Sequence, residues 1–169
     1  HDGGARYHDY GVAALGIPNA ADALYAVKRA VFDDRLCTAD ELLTALRADF
    51  AGYEFLQAAL RALPSYGQQH PEADAMAGRV LAAVCDAYDA AVNARGGRLK
   101  PMLFTFVWAP EAGAVLGATA YGDHASRPIA QGMTPRNSAM TEGITAAIGS
   151  HAGLPLCRAT GGATSMWDL

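Results

Sequence analysis

His8 and Asp9 are neighbours whose residue types suit an acid–base pair. Adjacent residues in a strand point to opposite faces, so an ordinary loop histidine is the plainer reading of His8. The five histidines (His1, His8, His70, His124 and His151) show neither HxxxH nor HExxH spacing. A zinc site would therefore need residues converging from far apart, and no metal is expected. Cys37, Cys85 and Cys157 are odd in number and widely spaced, with no CxxC pair, and read as reduced thiols rather than a disulfide framework. No GxSxG elbow supports a serine nucleophile, and no GxGxxG or GxxxxGK[ST] supports a phosphate cradle. Arg127-Pro128 and Arg136 fall in a loop and offer forks for a carboxylate, against the plainer reading of surface arginines. Local chemistry alone singles out no catalyst.

The elements that would position these groups are helical first and strand-like later. Gly3, Gly4, Gly11 and Gly16 punctuate a loop and short strand over 1–17. Asn19 suits the N-cap of a helix over about 20–33. Thr38-Ala39-Asp40-Glu41 spells a capping box for a second helix to about Ala48, packed through Leu42, Leu43 and Leu46. A third is expected from Tyr53 to Leu63, stopped by Pro64 and burying Phe55, Leu56, Leu60 and Leu63. Pro71 suits the first turn of the longest helix, to about Ala94, with Gly96 and Gly97 ending it. After Pro101, MLFTFVW is apolar on both faces, the pattern of a strand covered on both sides. Gly and Pro punctuate 109–140, with a short strand around Ala114–Ala118. Gly113-x-x-x-Gly117 is helix-packing spacing, but Pro110 and the strand pattern favour a turn. A helix over 142–150 and a strand at Ser165–Leu169 close the chain.

Composition sets the limits. The chain has 169 residues, 51% apolar and 18% charged, with a net charge of −4. Such a chain buries enough to fold, which excludes disorder. It has no cationic excess for nucleic acid and no uninterrupted apolar run of about 18–20 residues for a membrane span, so neither is an expected partner.

Read in order, several segments together resemble the glycyl radical enzymes, the pyruvate formate-lyase-like family. They are GGARYHDYG at 3–11, GIPNAADALYAVKRAVFDD at 16–34 and TADELLTALRADFAGYEFL at 38–56, then PSYG at 64–67 and NARGGRLKP at 93–101. GATAYGDHASRPIAQGMTP at 117–135 resembles the family's GATPDGRxAGxPLADGxSP loop without a gap, and EGITAAIGSHAGL at 142–154 fits the family's segment after that loop. Ala120-Tyr121-Gly122-Asp123 departs from the family's Pro-Asp-Gly-Arg, and Ala-Met-Thr-Glu replaces a polar Arg-Asp stretch at 139–142. Gly153 stands where relatives often carry Lys.

The resemblance implies an α/β fold: a helix-rich segment of a ten-stranded barrel with a few strands. Residues 1–169 would form a partial domain, with a helical part about 19–95 and a strand and loop part about 96–169. In the family a radical stored on a backbone glycine passes to a cysteine, whose thiyl form abstracts a substrate hydrogen. The Gly-Cys-x-Glu and Arg-Val-Ser-Gly-Tyr motifs that carry this chemistry are absent here. In the family they precede and follow the matched region, so the chain, which opens on His1, resembles an internal slice, inactive alone. It would hold no catalytic residue and bind no cofactor; the organic glycyl radical would belong to the complete enzyme. That enzyme would be a lyase, dehydratase or formate acetyltransferase of anaerobic metabolism. Its expected partners are the rest of the same enzyme, a radical-SAM activating enzyme and further copies of itself, in the cytoplasm. By the same match, Phe104 and Phe106 would face the substrate from one barrel strand, with Met133 and Thr134 approaching from the next loop. The rival reading is a free-standing helical scaffold or binding module, and residues flanking this sequence would discriminate the two.

Overall fold

The computed structural model describes residues 4–167. β1 (Tyr10–Ala13) leads into α1 (Ile17–Val27), which begins at Gly16 with φ 72° and carries Pro18 in its first turn. A missing N–H costs nothing there, so the helix starts three residues earlier than Asn19 predicts, and Asn19 lies inside it. The last turn widens into a π-helix over Lys28–Asp33. Lys28 pairs with Asp33, and Arg29 reaches Asp34 at 2.8 Å. Both pairs are five residues apart, the spacing that a π turn stacks.

α2 (Ala39–Arg47) has the capping box its sequence spells. The Thr38 amide donates to Glu41 Oε2 at 2.7 Å, and the Glu41 amide donates to Thr38 Oγ1 at 3.2 Å. The Thr38 amide holds the Glu41 carboxyl below its usual range. α3 (Glu54–Arg61) buries Gln57 and Leu60, with Leu56 half-buried. Phe55, expected inside, is 95% exposed. It lies two residues from Gln57, about 200° round the helix, on the opposite face.

α4 (Pro71–Asp89) ends earlier than the expected Ala94. Asn93 Oδ1 accepts from the Arg95 and Gly97 amides, and such local side-chain bonds compete with helix. β2 (Leu99–Leu103) follows, then a 3-10 turn at Phe106–Trp108 and α5 (Ala109–Ala114). The strand expected near Ala114–Ala118 is not formed. Pro110 sits in the first turn of α5, where proline is tolerated, rather than opposing the helix. Gly113 is needed for a different approach: a Cβ there would lie 2.1 Å from the Arg127 carbonyl oxygen. α6 (Gly143–Ala152) precedes β3 (Gly162–Ala163). Of the closing strand expected at Ser165–Leu169, Ser165 makes only an isolated bridge to Gly132, and Asp168 and Leu169 lie outside the described residues.

The three strands form one parallel sheet in the order β1-β2-β3, with Tyr10 opposite Leu99 and Met102 opposite Gly162. Leu103 points into a core shared with Ile17, Ala21 and Tyr25 of α1 and Met76, Ala77 and Leu81 of α4. A second core joins Ala26 and Ala30 to Leu42, Ala45, Phe50, Leu60 and Tyr121.

Candidate functional site

The C-terminal ends of parallel strands are where α/β folds place their chemistry. β2 reaches that end at Leu103, five residues short of the expected apolar strand, which runs to Trp108. Phe104 therefore does not share a strand face with Phe106 by alternation. Thr105, fully buried, accepts a hydrogen bond from the Gly132 amide at 3.1 Å through Oγ1. Phe106 then adopts φ 46°, a left-handed conformation that costs a bulky residue about 1–3 kcal/mol. This reversal brings the two rings together by another route: Phe104 and Phe106 stack at 6.4 Å and 26°. Trp108 meets Phe104 edge-on at 5.6 Å. Phe106 remains 53% exposed, and Phe104 is half-buried. The pair is an accessible aromatic ledge and not the centre of the core.

The loop carrying Met133 and Thr134 is tied to this end of the sheet. The Met133 amide donates to the Thr164 carbonyl at 2.9 Å, and the Thr164 amide donates to the Leu103 carbonyl at 2.9 Å. Thr134 Oγ1 accepts from the Met166 amide at 2.8 Å and donates to the Met166 carbonyl at 3.3 Å. The structure thus gathers Phe104, Met133 and Thr134 around the ends of β2 and β3. The Met133 side chain is wholly buried among Leu103 and Tyr66, and Thr134 is nearly so. Both hold the loop in place, while the aromatic ledge is left open.

Two polar clusters that the sequence did not reveal brace this loop. The Tyr66 hydroxyl donates its single proton to the Met133 carbonyl at 2.9 Å. His151 Nδ1 lies 3.2 Å from the Tyr66 hydroxyl oxygen, so it must be the protonated nitrogen. Nε2 then accepts from the Ser165 hydroxyl at 3.2 Å. Burial holds the His151 pKa below its usual value, opposed by a bond to the Met133 backbone. Burial also raises the Tyr66 phenol, so it stays protonated.

The second cluster centres on Arg136, which is 6% exposed rather than a surface arginine. Its Nε donates to Asp22 Oδ2 at 2.6 Å, its Nη2 to Ser65 at 2.8 Å and its Nη1 to Ser138. The guanidinium lies 4.2 Å from the centre of the Tyr121 ring. Burial raises the Asp22 carboxyl to about 6 against the pull of Arg136 and the Tyr66 amide, leaving it ionised at neutral pH. Asn19, freed from capping, donates to the Tyr121 hydroxyl at 2.7 Å and accepts from the Ala130 amide at 2.8 Å. Partners more than a hundred residues apart leave no periodic signal, so the sequence shows only the residue types.

Asp9 turns away from its neighbour His8, in line with the plainer reading of that histidine. Asp9 binds the Arg98 amide at 2.9 Å and Lys100 at 3.0 Å. The Arg98 amide contributes most to holding its carboxyl below the usual range. Cys85 is buried, Cys37 partly buried and Cys157 exposed, all as free thiols. Burial raises the pKa of Cys37 and Cys85, which disfavours the thiolate. Among the described residues no three His, Cys, Asp or Glu side chains gather as a metal site, and no helix is long and apolar enough to cross a membrane.

Comparison with known proteins adds a context for this site. The pyruvate formate lyase-like family matches residues 1–109. Trans-4-hydroxy-L-proline dehydratase of Clostridioides difficile is 32% identical over 89% of this chain and 19% of its own length. Isethionate sulfite-lyase of Bilophila wadsworthia is 34% identical over 81% of this chain and 16% of its own length. Among solved structures, glycerol-bound B12-independent glycerol dehydratase from Clostridium butyricum superposes with a TM-score of 0.93 at 34% identity. That match covers 97% of this chain and 21% of the dehydratase. The chain therefore spans about a fifth of the length of the proteins it resembles.

Proposed function

From the premise that this chain belongs to the pyruvate formate lyase-like family, the glycyl radical enzymes, we propose that it supplies part of a substrate-chamber wall in such an enzyme. The observation that carries this reading is the open Phe104–Phe106 stack at the C-terminal end of a parallel strand. Residues 1–169 form a partial domain of that enzyme, with the helical part about 19–95 bracing the strand and loop part about 96–169. The reaction is a radical dehydration or lyase cleavage, with formate acetyltransferase chemistry as a family-level variant. The glycyl radical supplies hydrogen abstraction through a cysteine, both outside these residues. A radical-SAM activating enzyme installs it in an anaerobic cytoplasm, and the complete enzyme is a homo-oligomer.

This chain's own part is to shape and dry the chamber. Two stacked rings exclude water and offer no hydrogen bond to a hydroxyl or carboxylate, so they favour a compact apolar or aromatic portion of the substrate. Met133 and Thr134 fix the loop that faces the ledge, through Thr164 and Met166. The test is Phe104→Ala in the complete enzyme. Relative kcat/KM between a compact and a bulkier substrate should shift about tenfold toward the bulkier one. Expression and the glycyl radical signal in electron paramagnetic resonance should stay unchanged. A folded, radical-bearing variant with the parent's preference defeats the proposal.

A further inference from the structure

A cleft of about 420 Å³ opens beside the loop that runs from Arg127 to Ser138. Arg61 of α3 lines it together with Arg127 and Arg136 of the loop, and Asp123 is the one carboxylate among its lining residues. Arg136 is held by Asp22, Ser65 and Ser138, which take three of its five N–H groups. A guanidinium locked this way has given up its rotamer freedom before any ligand arrives. Arg61 spends its Nε on the Gly122 carbonyl at 2.9 Å, leaving its terminal nitrogens available. Arg127 is exposed, and no hydrogen bond or ion pair joins its guanidinium to another described residue. Asp22 offsets the charge of Arg136, so Arg61 and Arg127 together exceed Asp123 by one positive charge.

We propose that this cleft binds a small free oxyanion, the carboxylate, phosphate or sulfonate group of a low-molecular-weight ligand, at a site separate from the aromatic ledge. Planar forks bind such groups two bonds at a time, and one surplus positive charge suits one anionic group. The Asn137 and Ser138 side chains complete the polar wall. Binding here needs none of the radical chemistry.

Calorimetry and thermal melting of the complete protein, with inorganic phosphate and with acetate as probes against sodium chloride at equal ionic strength, test it. Saturable binding of either probe is expected. Arg127→Ala should weaken it about tenfold while leaving the ligand-free melt unchanged, because that side chain holds nothing in place. Asp123→Asn should tighten it severalfold by removing the opposing carboxylate, a gain that a merely structural role would not produce. A response matched by chloride overturns the site, as do unaltered affinities in both variants. A carboxylate from elsewhere in the complete protein filling the cleft would give either result too, and it equally defeats the claim of a free ligand.

Discussion

At the scale of single residues, the most consequential groups are those whose partners lie far along the chain. Thr38 and Glu41 are legible because a capping box closes within four residues. Arg136 is not, since nothing near it announces Asp22 or Ser65. Removing one member of such a buried pair typically costs about 3–5 kcal/mol, whereas the exposed pairs of the π turn contribute little because water screens them. Asn19 shows the same limit: its residue type fits a cap, and only the fold reveals that Tyr121 and Ala130 claim it.

His151 gives this scale a pH signature. Burial lowers its folded pKa below the ordinary 6.5, so the folded chain favours the neutral ring. The unfolded chain then binds more protons below pH 6.5, and its stability contribution is complete above that value. It is lost as pH falls through the folded pKa. His151→Gln keeps a hydrogen-bonding side chain without titrating there. Its melting temperature should fall less steeply than the parent's between pH 7 and pH 5, as read by circular dichroism. Parallel slopes would remove His151 from the account.

Among elements, helices are legible in existence and less so in extent. Pro71 opens α4 as expected, but Asn93 stops the helical run early through bonds that a period count does not register. The apolar run after Pro101 reads as one strand because both faces carry apolar residues. A backbone reversal at Phe106 ends the pattern, and propensity cannot foretell a bulky residue with φ 46°. Gly132 makes the neighbouring junction possible. Its φ is 56°, and an added Cβ would lie 2.3 Å from the Thr164 carbonyl oxygen, inside any tolerated contact. Gly132→Ala should therefore destabilise by more than the roughly 1 kcal/mol of a strained backbone alone. Chemical denaturation is the measurement, with a midpoint equal to the parent's as the contrary result. The same variant should loosen the bond from the Gly132 amide to Thr105, and with it the seat of the aromatic ledge.

For the whole molecule, the sheet is the informative feature. Parallel sheets are ordinarily covered on both faces, because their crossovers lay helices against them. Here Tyr10 is 53% exposed, and Val107 and Trp108 beyond β2 remain open to solvent. Leu15 and Leu116 line an apolar groove of about 380 Å³. A chain spanning about a fifth of its relatives' length can leave such surfaces for other polypeptide to cover. Water contact with apolar area costs about 25 cal/mol per Å², so the isolated chain has a standing drive to cover it with copies of itself. Sedimentation of the 169-residue chain should show mass rising with concentration, accompanied by binding of a hydrophobic dye. If further polypeptide covers those faces in a longer protein, as the proposed function has it, that protein should bind little dye per molecule. A chain that stays monomeric and dye-free at high concentration would mean that one-sided burial suffices, and the scaffold reading would then regain its place.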